Sequence, residues 1–387
     1  MTHPFRDTTA IVGVGHSGCS KDAGRPMPLV WLDTIRQAAD DAGISIDEID
    51  GICTPFQDTR PATPQPTPFV LTRTLGLSGL RWHGAPLGGA YALGSVASAA
   101  LAVSTGMCTT ALAFHAMERP KTRGAAVYNY RGAPEVGGVQ AYLAPYGYSV
   151  FVQIMATWCQ RMLSTGALTR DQLAKVAVDQ RANALLNPKA VMRDPLPRDD
   201  YFRSRWVAEP LCLYDVDMPV DAAVAVIVTS AERAADLRQT PVRIANVGGW
   251  LGPQPDWVFH GYDRLFPERY ADEFWRAAGL GPSDMSLAAL HDGFTVYVPL
   301  WLEALGFAAL GEGGAMIESG ALAAGGRMPN NTHGGNLSEG RLQGGGGIVE
   351  AVVQLRHQAG DRQVAEASAA IVSVGGAPTV CAAVLHR

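Results

Sequence analysis

Twice in this chain a helical pattern closes on an Ala-Gly turn and passes through acidic residues into a strand pattern. The first copy is Asp41-Ala42-Gly43-Ile44 followed by Asp47-Glu48-Ile49-Asp50, and the second is Ala277-Ala278-Gly279-Leu280 followed by Asp284-Met285. Glycine just past the last periodic residue is the usual helix C-cap, because it enters the left-handed region without steric cost. The copies stand about 240 residues apart, too far for a solenoid repeat, and point to two α/β lobes of one design. The implied lobes are 1–238 and 239–387, with a loop excursion at about 119–219 inside the first. Chance likeness of two helix–glycine–strand turns is the competing reading.

The rest of the patterning fits that plan. Strands are expected at Thr8–Gly15, Ile49–Thr54, Thr109–Met117 and Ala222–Thr229 in the first lobe, where β-branched and apolar residues run continuously. Helices are expected at Leu29–Ala42, Ala90–Ser104, Val150–Ser164, Arg170–Asn187 and, as a turn, Ala231–Leu237. The small residues of Ala90–Ser104 imply close packing in the middle of the molecule. In the second lobe strands are expected at Val242–Trp250, Met285–His291, Ala369–Val374 and Thr379–His386. Helices there are expected at Pro267–Ala278, Val296–Leu305 and Gly347–His357. Residues 55–68 hold five prolines and read as loop. Pro188–Pro219 reads as irregular, with a short helix near Tyr201–Trp206. Alternating strands and helices give sheets covered on their faces by helices.

Composition excludes several classes. At 387 residues, 47% hydrophobic, 17% charged and net charge −5, the chain is globular, rather apolar and without a basic run for nucleic acid. Its six cysteines (Cys19, Cys53, Cys108, Cys159, Cys212, Cys381) show no metal-ligand spacing and suit buried thiols in a reducing compartment. No stretch has the length of a membrane span, the longest apolar run being near Ala97–Val103. No signal-peptide pattern opens the chain, so a cytoplasmic location is expected.

The densest polar signal is Asn331-Thr332-His333-Gly334-Gly335-Asn336-Leu337-Ser338-Glu339-Gly340-Arg341-Leu342-Gln343-Gly344-Gly345-Gly346. Glycines at this density let backbone approach a ligand closely, and the apolar helical pattern that follows would aim N–H groups at it. His333, Arg341 and Gln343 offer polar contacts there. Gly334 and Gly335 offer close backbone approach. His291 ends a strand pattern in His-Asp-Gly-Phe, and Asp292 beside it reads more as a cap for local backbone than as a reactive group. Gly375-Gly376 reads either as backbone N–H groups for an oxyanion or as a tight turn between two strands.

In order and spacing these segments resemble the thiolase superfamily, in its sterol-carrier-protein-X-like branch. The resemblance runs from Ala10-Ile11-Val12-Gly13-Val14-Gly15 through Asp41-Ala42-Gly43 and Asn187-Pro188-Lys189-Ala190 to Asp221-Ala222-Ala223. It continues through His291-Asp292-Gly293-Phe294 and the 331–346 loop to Val374-Gly375-Gly376-Ala377-Pro378. It implies a duplicated αβαβα five-layered fold, usually a homodimer, with the excursion covering an acyl-CoA channel.

The same resemblance shows what is missing. Pro86, in Ala85-Pro86-Leu87-Gly88-Gly89-Ala90, takes the place of the thiolase nucleophilic cysteine. Ser373 or Val372 takes the place of the second, acid/base cysteine, and Cys381 falls eight residues late inside a strand pattern. Arg341 replaces the histidine of the Gly-His-Pro loop. Arginine is no base near neutral pH, but its fork of donors can hold an oxyanion. An ion pair with Glu339 or Glu350 is its competing role. A cysteine-less branch of the superfamily consists of acyl-CoA retro-aldolases of steroid side-chain breakdown. Tyrosines act there near the positions of His291 and Arg341, and this chain has neither.

The resemblance therefore implies a carbon–carbon lyase that cleaves a 3-hydroxyacyl-CoA to a carbonyl product and a shorter acyl-CoA. His291, Arg341 and His333 would be catalytic. Asp292, Gln343, Gly334, Gly335, Gly375 and Gly376 would contact the substrate or its oxyanion. Coenzyme A would enter as the substrate's thioester, with no covalently bound cofactor and no metal ligand set. A small partner with a zinc ribbon and an OB-fold is implied as well. An acyltransferase with a displaced cysteine, or a non-catalytic acyl-CoA-binding scaffold, are the alternatives. Phe56, Phe69, Tyr128, Tyr130, Tyr142 and Tyr146 line either an apolar pocket or an interface.

Overall fold

Runs of Val, Ile and Ala in this chain become strands, and the runs with helical period become the layers that cover them. The computed structural model describes residues 5–55, 65–86, 91–119, 139–148, 150–251, 264–265, 268–376 and 379–387. In chain order the strands are β1 (Thr9–His16), β2 (Gly51–Cys53), β3 (Trp82–Gly84), β4 (Thr110–Met117), β5 (Trp206–Ala208), β6 (Leu211–Cys212), β7 (Ala222–Ser230), β8 (Val242–Leu251), β9 (Leu287–Ala289), β10 (Ala369–Gly376) and β11 (Thr379–His386). The first helices are α1 (Met27–Ala42), α2 (Pro68–Leu75), α3 (Tyr91–Ser104), α4 (Val139–Leu143), α5 (Phe151–Thr165), α6 (Arg170–Leu185), α7 (Arg198–Arg203) and α8 (Ala231–Ala234). Then come α9 (Glu268–Ala278), α10 (Tyr297–Ala304), α11 (Gly313–Glu318), α12 (Gly335–Ser338) and α13 (Gly345–Leu355).

Nine strands form one mixed sheet in the order β3-β2-β4-β7-β1-β8-β11-β10-β9. One pairing series occurs twice. β1 runs antiparallel to β7, β7 antiparallel to β4, and β4 parallel to β2. Likewise β8 runs antiparallel to β11, β11 antiparallel to β10, and β10 parallel to β9. A parallel bridge between Ala288 and Asn330 sits where the second series would have its β3. The two series meet through Ala10–Arg243 and Ile11–Val242.

Strand alternation builds the layers. Ala10 and Val12 face one core with α1, while Ile11 between them faces another with α3 and α13. Ile371 and Val384 likewise face α9 and α10, while Val372 and Ala383 face α3 and α13. The sequence of layers is α1, first series, α3 with α13, second series, α9 with α10: a thiolase-like αβαβα arrangement. The excursion helices α5 and α6 add Met155, Trp158 and Leu173 to the outer core of the second series.

Both Ala-Gly turns behave as expected, since Gly43 has φ +75° and Gly279 φ +66°. Asp41 then joins distant parts. Its Oδ2 accepts from Val14 N at 2.9 Å and from Arg356 Nη1 at 2.7 Å, tying α1 to β1 and to the end of α13.

The structure departs from the sequence reading in several places. Strand β9 is only Leu287–Ala289, because Leu290 exchanges ladder bonds for the side chains of Asn330 and Asn331. The stretch 188–219 is more ordered than expected, with α7 starting earlier, at Arg198, and a β5–β6 hairpin turning at Glu209-Pro210. Strands of two or three residues are too short to show period two. Helix α2 begins inside the proline-rich segment, where Thr67 Oγ1 accepts from Val70 N. Residues 56–64, 87–90 and 120–138, with Phe56, Tyr128 and Tyr130, lie outside the described residues.

Strand β1 and helix α1 approach so closely that a Cβ on Gly13 would lie 2.2 Å from Ala38 O. Gly13→Ala is expected to destabilise the protein by about 1–3 kcal/mol through overpacking. A lower urea midpoint at unchanged m-value would show this, and an unchanged midpoint would contradict it.

Candidate active site

The site begins where β9 stops. Leu290 N donates to Asn330 Oδ1 at 3.0 Å, and Asn331 Nδ2 donates to Leu290 O at 2.9 Å. Asn331 also donates its own N–H to Ala288 O at 2.9 Å, with φ +51°. Asparagine is among the few residues that tolerate this region. These bonds lay the glycine-rich loop along the strand end. The next residue, His291, donates its backbone N–H to Ser373 Oγ at 3.0 Å. The serine, one of the two residues (with Val372) at which the resemblance implies an acid/base cysteine, thus stands against the histidine backbone.

Asp292 fixes the start of α12. Its Oδ1 accepts from Asn336 N at 2.9 Å and Asn336 Nδ2 at 2.8 Å, and its Oδ2 from Leu337 N at 3.2 Å. Burial raises its pKa to about 7, against the pull of those donors, with Asp217 adding to the rise. A Cβ on Gly335 would fall 2.0 Å from Asp292 Oδ2, and one on Gly334 2.7 Å from Ala184 Cβ. Among the described residues these two glycines make room for protein. Asp292 acts as the local cap, with both oxygens engaged by the donors that open α12.

Arg341 corrects an expectation. Among the described residues its guanidinium pairs with Asp217, with Nε 3.4 Å from Oδ2, where Glu339 or Glu350 was expected. The reason is backbone placement, because Arg341 N donates to Met218 O at 2.8 Å and lays the loop beside residues 217–218. Burial raises the Asp217 pKa to about 6 while Arg341 lowers it. Burial, with Arg341 adding to it, lowers the His291 pKa to about 3, so this imidazole is neutral at physiological pH.

His333 and Glu339 form the other side. Glu339 Oε1 accepts from Asn187 Nδ2 at 2.9 Å and lies 3.4 Å from His16 Nε2, while Oε2 lies 3.7 Å from His333 Nε2. Burial alone would raise the Glu339 pKa, but His333, His16 and Asn187 outweigh it and hold it at about 2. His16, Cys19 and Glu339 lie close enough to suggest a cation site. However, His16 Nδ1 accepts from Gly18 N at 2.9 Å, which puts the ring proton on Nε2, toward Glu339. In that tautomer His16 offers no lone pair from Nε2 to a cation.

A small cavity of about 10 Å³, room for roughly one water, is bounded by His291, Asp292, His333, Asn336, Glu339 and Ser373, among others. Arg341, Gln343, Gly375 and Gly376 are not in its wall. Gln343 acts on buried His115, whose pKa burial lowers to about 4 while Gln343 pulls it upward. Gly375 and Gly376 belong to β10 and pair with Val380 and Thr379. A Cβ on Gly376 would lie 2.4 Å from Tyr297 Oη, so packing accounts for that glycine. Phe69, Tyr142 and Tyr146 are exposed and take no part in the cavity.

Asp217 and His16 were not singled out from sequence, and Glu339 and Asn187 were named there without a site role. Glu339 could have been given one, because it sits in the glycine-rich loop beside Arg341. Asp217 carries no local signal.

The layers and this thiol-poor site of buried imidazoles and an arginine define a thiolase-fold protein. The family model of the thiolase C-terminal domain-like group matches residues 268–386. The chain is 36% identical to a 17-hydroxy-3-oxo-4-pregnene-20-carboxyl-CoA lyase of Mycobacterium tuberculosis, covering 90% of this chain and 91% of that one. It is 33% identical to a steroid side-chain-cleaving aldolase of Thermomonospora curvata, covering 90% of each. The solved structure of an Ltp2-ChsH2(DUF35) aldolase superposes with a TM-score of 0.88 at 30% identity, over 99% of this chain and 98% of that one. The chain belongs to the thiolase superfamily, in the branch that holds these acyl-CoA lyases and aldolases.

The raised carboxylates make a prediction. The ordinary pKa is 3.8, so a native value of about 7 for Asp292 gives stability that is full below about pH 4 and lost as pH rises through 7. Asp217, at about 6, acts in the same direction. Asp292→Asn is expected to flatten the fall of unfolding free energy over that range. It should also cost about 1–3 kcal/mol at low pH, because its amide nitrogen faces N–H donors. Urea unfolding at several pH values checks both effects, and an unchanged slope would refute the assignment.

Proposed function

We propose that this chain cleaves the Cα–Cβ bond of a 3-hydroxyacyl-CoA, releasing a carbonyl product and a shorter acyl-CoA, with a steroid side chain as the acyl group. The observation that carries this reading over acyl transfer is the state of the thiols. Burial raises Cys53, Cys159 and Cys381 to about 12 and Cys108 to about 11, and it pushes Cys19 and Cys212 upward as well. None of the six is a ready thiolate. Ser373, which with Val372 is where the resemblance implies the acid/base cysteine, is engaged by the His291 backbone.

A retro-aldol cleavage needs no covalent nucleophile. It needs a base for the β-hydroxyl and a place for enolate charge. Arg341, held by Asp217, supplies fixed positive charge beside neutral His291. Coenzyme A enters as part of the substrate. The relatives' printed names favour the steroid acyl group, and the Ltp2-ChsH2(DUF35) neighbour favours a small partner protein, which we read as carrying a zinc ribbon and an OB-fold. A homodimer, lobes at 1–238 and 239–387 and a cytoplasmic location complete the reading. No helix among the described residues is long and apolar enough to cross a membrane.

The test is a panel of 3-hydroxyacyl-CoA thioesters, steroid side chains included, incubated with the chain and its partner and followed by mass spectrometry. A ketone or aldehyde together with a shortened acyl-CoA is expected, with turnover surviving iodoacetamide. Arg341→Ala should lower kcat about 10²-fold or more, the usual cost of losing an oxyanion donor. Absence of a carbonyl product across the panel, or inactivation that maps to one alkylated cysteine, would overturn the reading.

A further inference from the structure

His333 is 4% exposed and shares the cavity wall with His291. Its Nδ1 is closed to solvent and has no hydrogen-bond partner among the described residues. Its Nε2 stands 3.7 Å from Glu339 Oε2, an ion-pair separation longer than a hydrogen bond. Such contacts often tighten only when substrate binds.

Glu339 is seated with unusual care for a carboxylate in a dry interior. Asn187 Nδ2 donates both to Glu339 Oε1 and to His333 O, each at 2.9 Å, so one amide sets the carboxylate and the histidine backbone together. His16 approaches Oε1 at 3.4 Å in the tautomer that Gly18 N imposes. A Cβ on Gly346 would lie 2.0 Å from Glu339 Oε2, so this glycine leaves the room into which the carboxylate reaches toward His333. The other charged neighbours are already engaged. Glu350, from α13, accepts from Thr332 Oγ1 at 2.7 Å and pairs with Arg362 at 2.9 Å. Lys189 and Arg362 act on Glu339 from a distance. Asp292, across the cavity, is occupied by Asn336 and Leu337.

We propose that Glu339 is a positioning residue that holds His333 with its ring proton on Nε2, leaving the Nδ1 lone pair to act as the general base of the cleavage. This rests on the lyase reading above. The β-hydroxyl proton passes to His333 Nδ1, the new C=O forms as the Cα–Cβ bond breaks, and the electron pair moves into the thioester enolate. The same nitrogen then returns the proton to Cα, so nothing is consumed. A carboxylate behind the ring favours the imidazolium while it lasts, as in other carboxylate–histidine pairs. His291 and Arg341 are left for the enolate oxygen.

The test has two independent arms. In ¹⁵N-histidine NMR of the whole chain, with signals assigned by their loss in His333→Gln, neutral His333 is expected as the Nε2–H tautomer, and Glu339→Gln should mix the tautomers. A wild-type His333 protonated on Nδ1 overturns the proposal whether or not turnover is found. In kinetics with the partner, Glu339→Gln should lower kcat about 10²-fold with KM nearly unchanged, and Glu339→Asp should recover part of it. The double variant with His333→Gln should be no slower than His333→Gln alone, because the two residues act as a unit. Independent, multiplying losses, or a rise in KM at constant kcat, would overturn it. If the wild-type complex cleaves no 3-hydroxyacyl-CoA, the lyase reading fails, while the tautomer still decides the placement of His333.

Discussion

Everything in this molecule depends on α3 and α13 being buried between the two strand series. A helix layer with sheets on both sides has no solvent face, so it must be apolar all round and small where backbones meet. Leu93, Val96, Ala99, Ile348, Ala351 and Val352 meet that demand. The same burial draws the segment leading into α13 to the centre of the molecule. That segment is the 331–346 loop, so the site is dry because of where the layer puts it.

Low dielectric then separates groups that look alike in sequence. Asp292 and Glu339 lie in one cavity wall, yet one is raised to about 7 and the other held at about 2. Asp292 faces backbone and amide donors with a like charge nearby. Glu339 faces two imidazoles and an amide. His291, between burial and the Arg341 guanidinium, is kept neutral. The result is a site with a fixed cation, a neutral imidazole at His291, a second imidazole at His333 beside a carboxylate, and no ready thiolate.

Much of the architecture was legible. The β-branched runs became β1, β4, β7, β10 and β11 within a residue or two, because continuous apolar stretches of that length have little choice in a doubly covered sheet. The repeated Ala-Gly turn was legible because glycine at a helix end has a steric cause. The β5–β6 hairpin, α2 and α12 were not, being too short to show a period. Asp217 as the partner of Arg341 was also out of reach, because the two lie far apart in the chain and meet through a backbone bond to Met218.

By itself the sequence determined the layered plan, and it marked the glycine-rich loop as the candidate site and the absence of cysteine at Pro86 and at Ser373 or Val372, where the resemblance implies one. Each of these follows from local residue types and their order. Only the tertiary structure decided which carboxylate holds which cation, that Asp292 caps α12, that Gly334, Gly335 and Gly376 make room for protein atoms, and that Glu339 stands behind His333. Those outcomes depend on how side chains meet in space, most of them between segments tens of residues apart. Local propensity carries no information about such meetings, and buried charges are set by their neighbours in space.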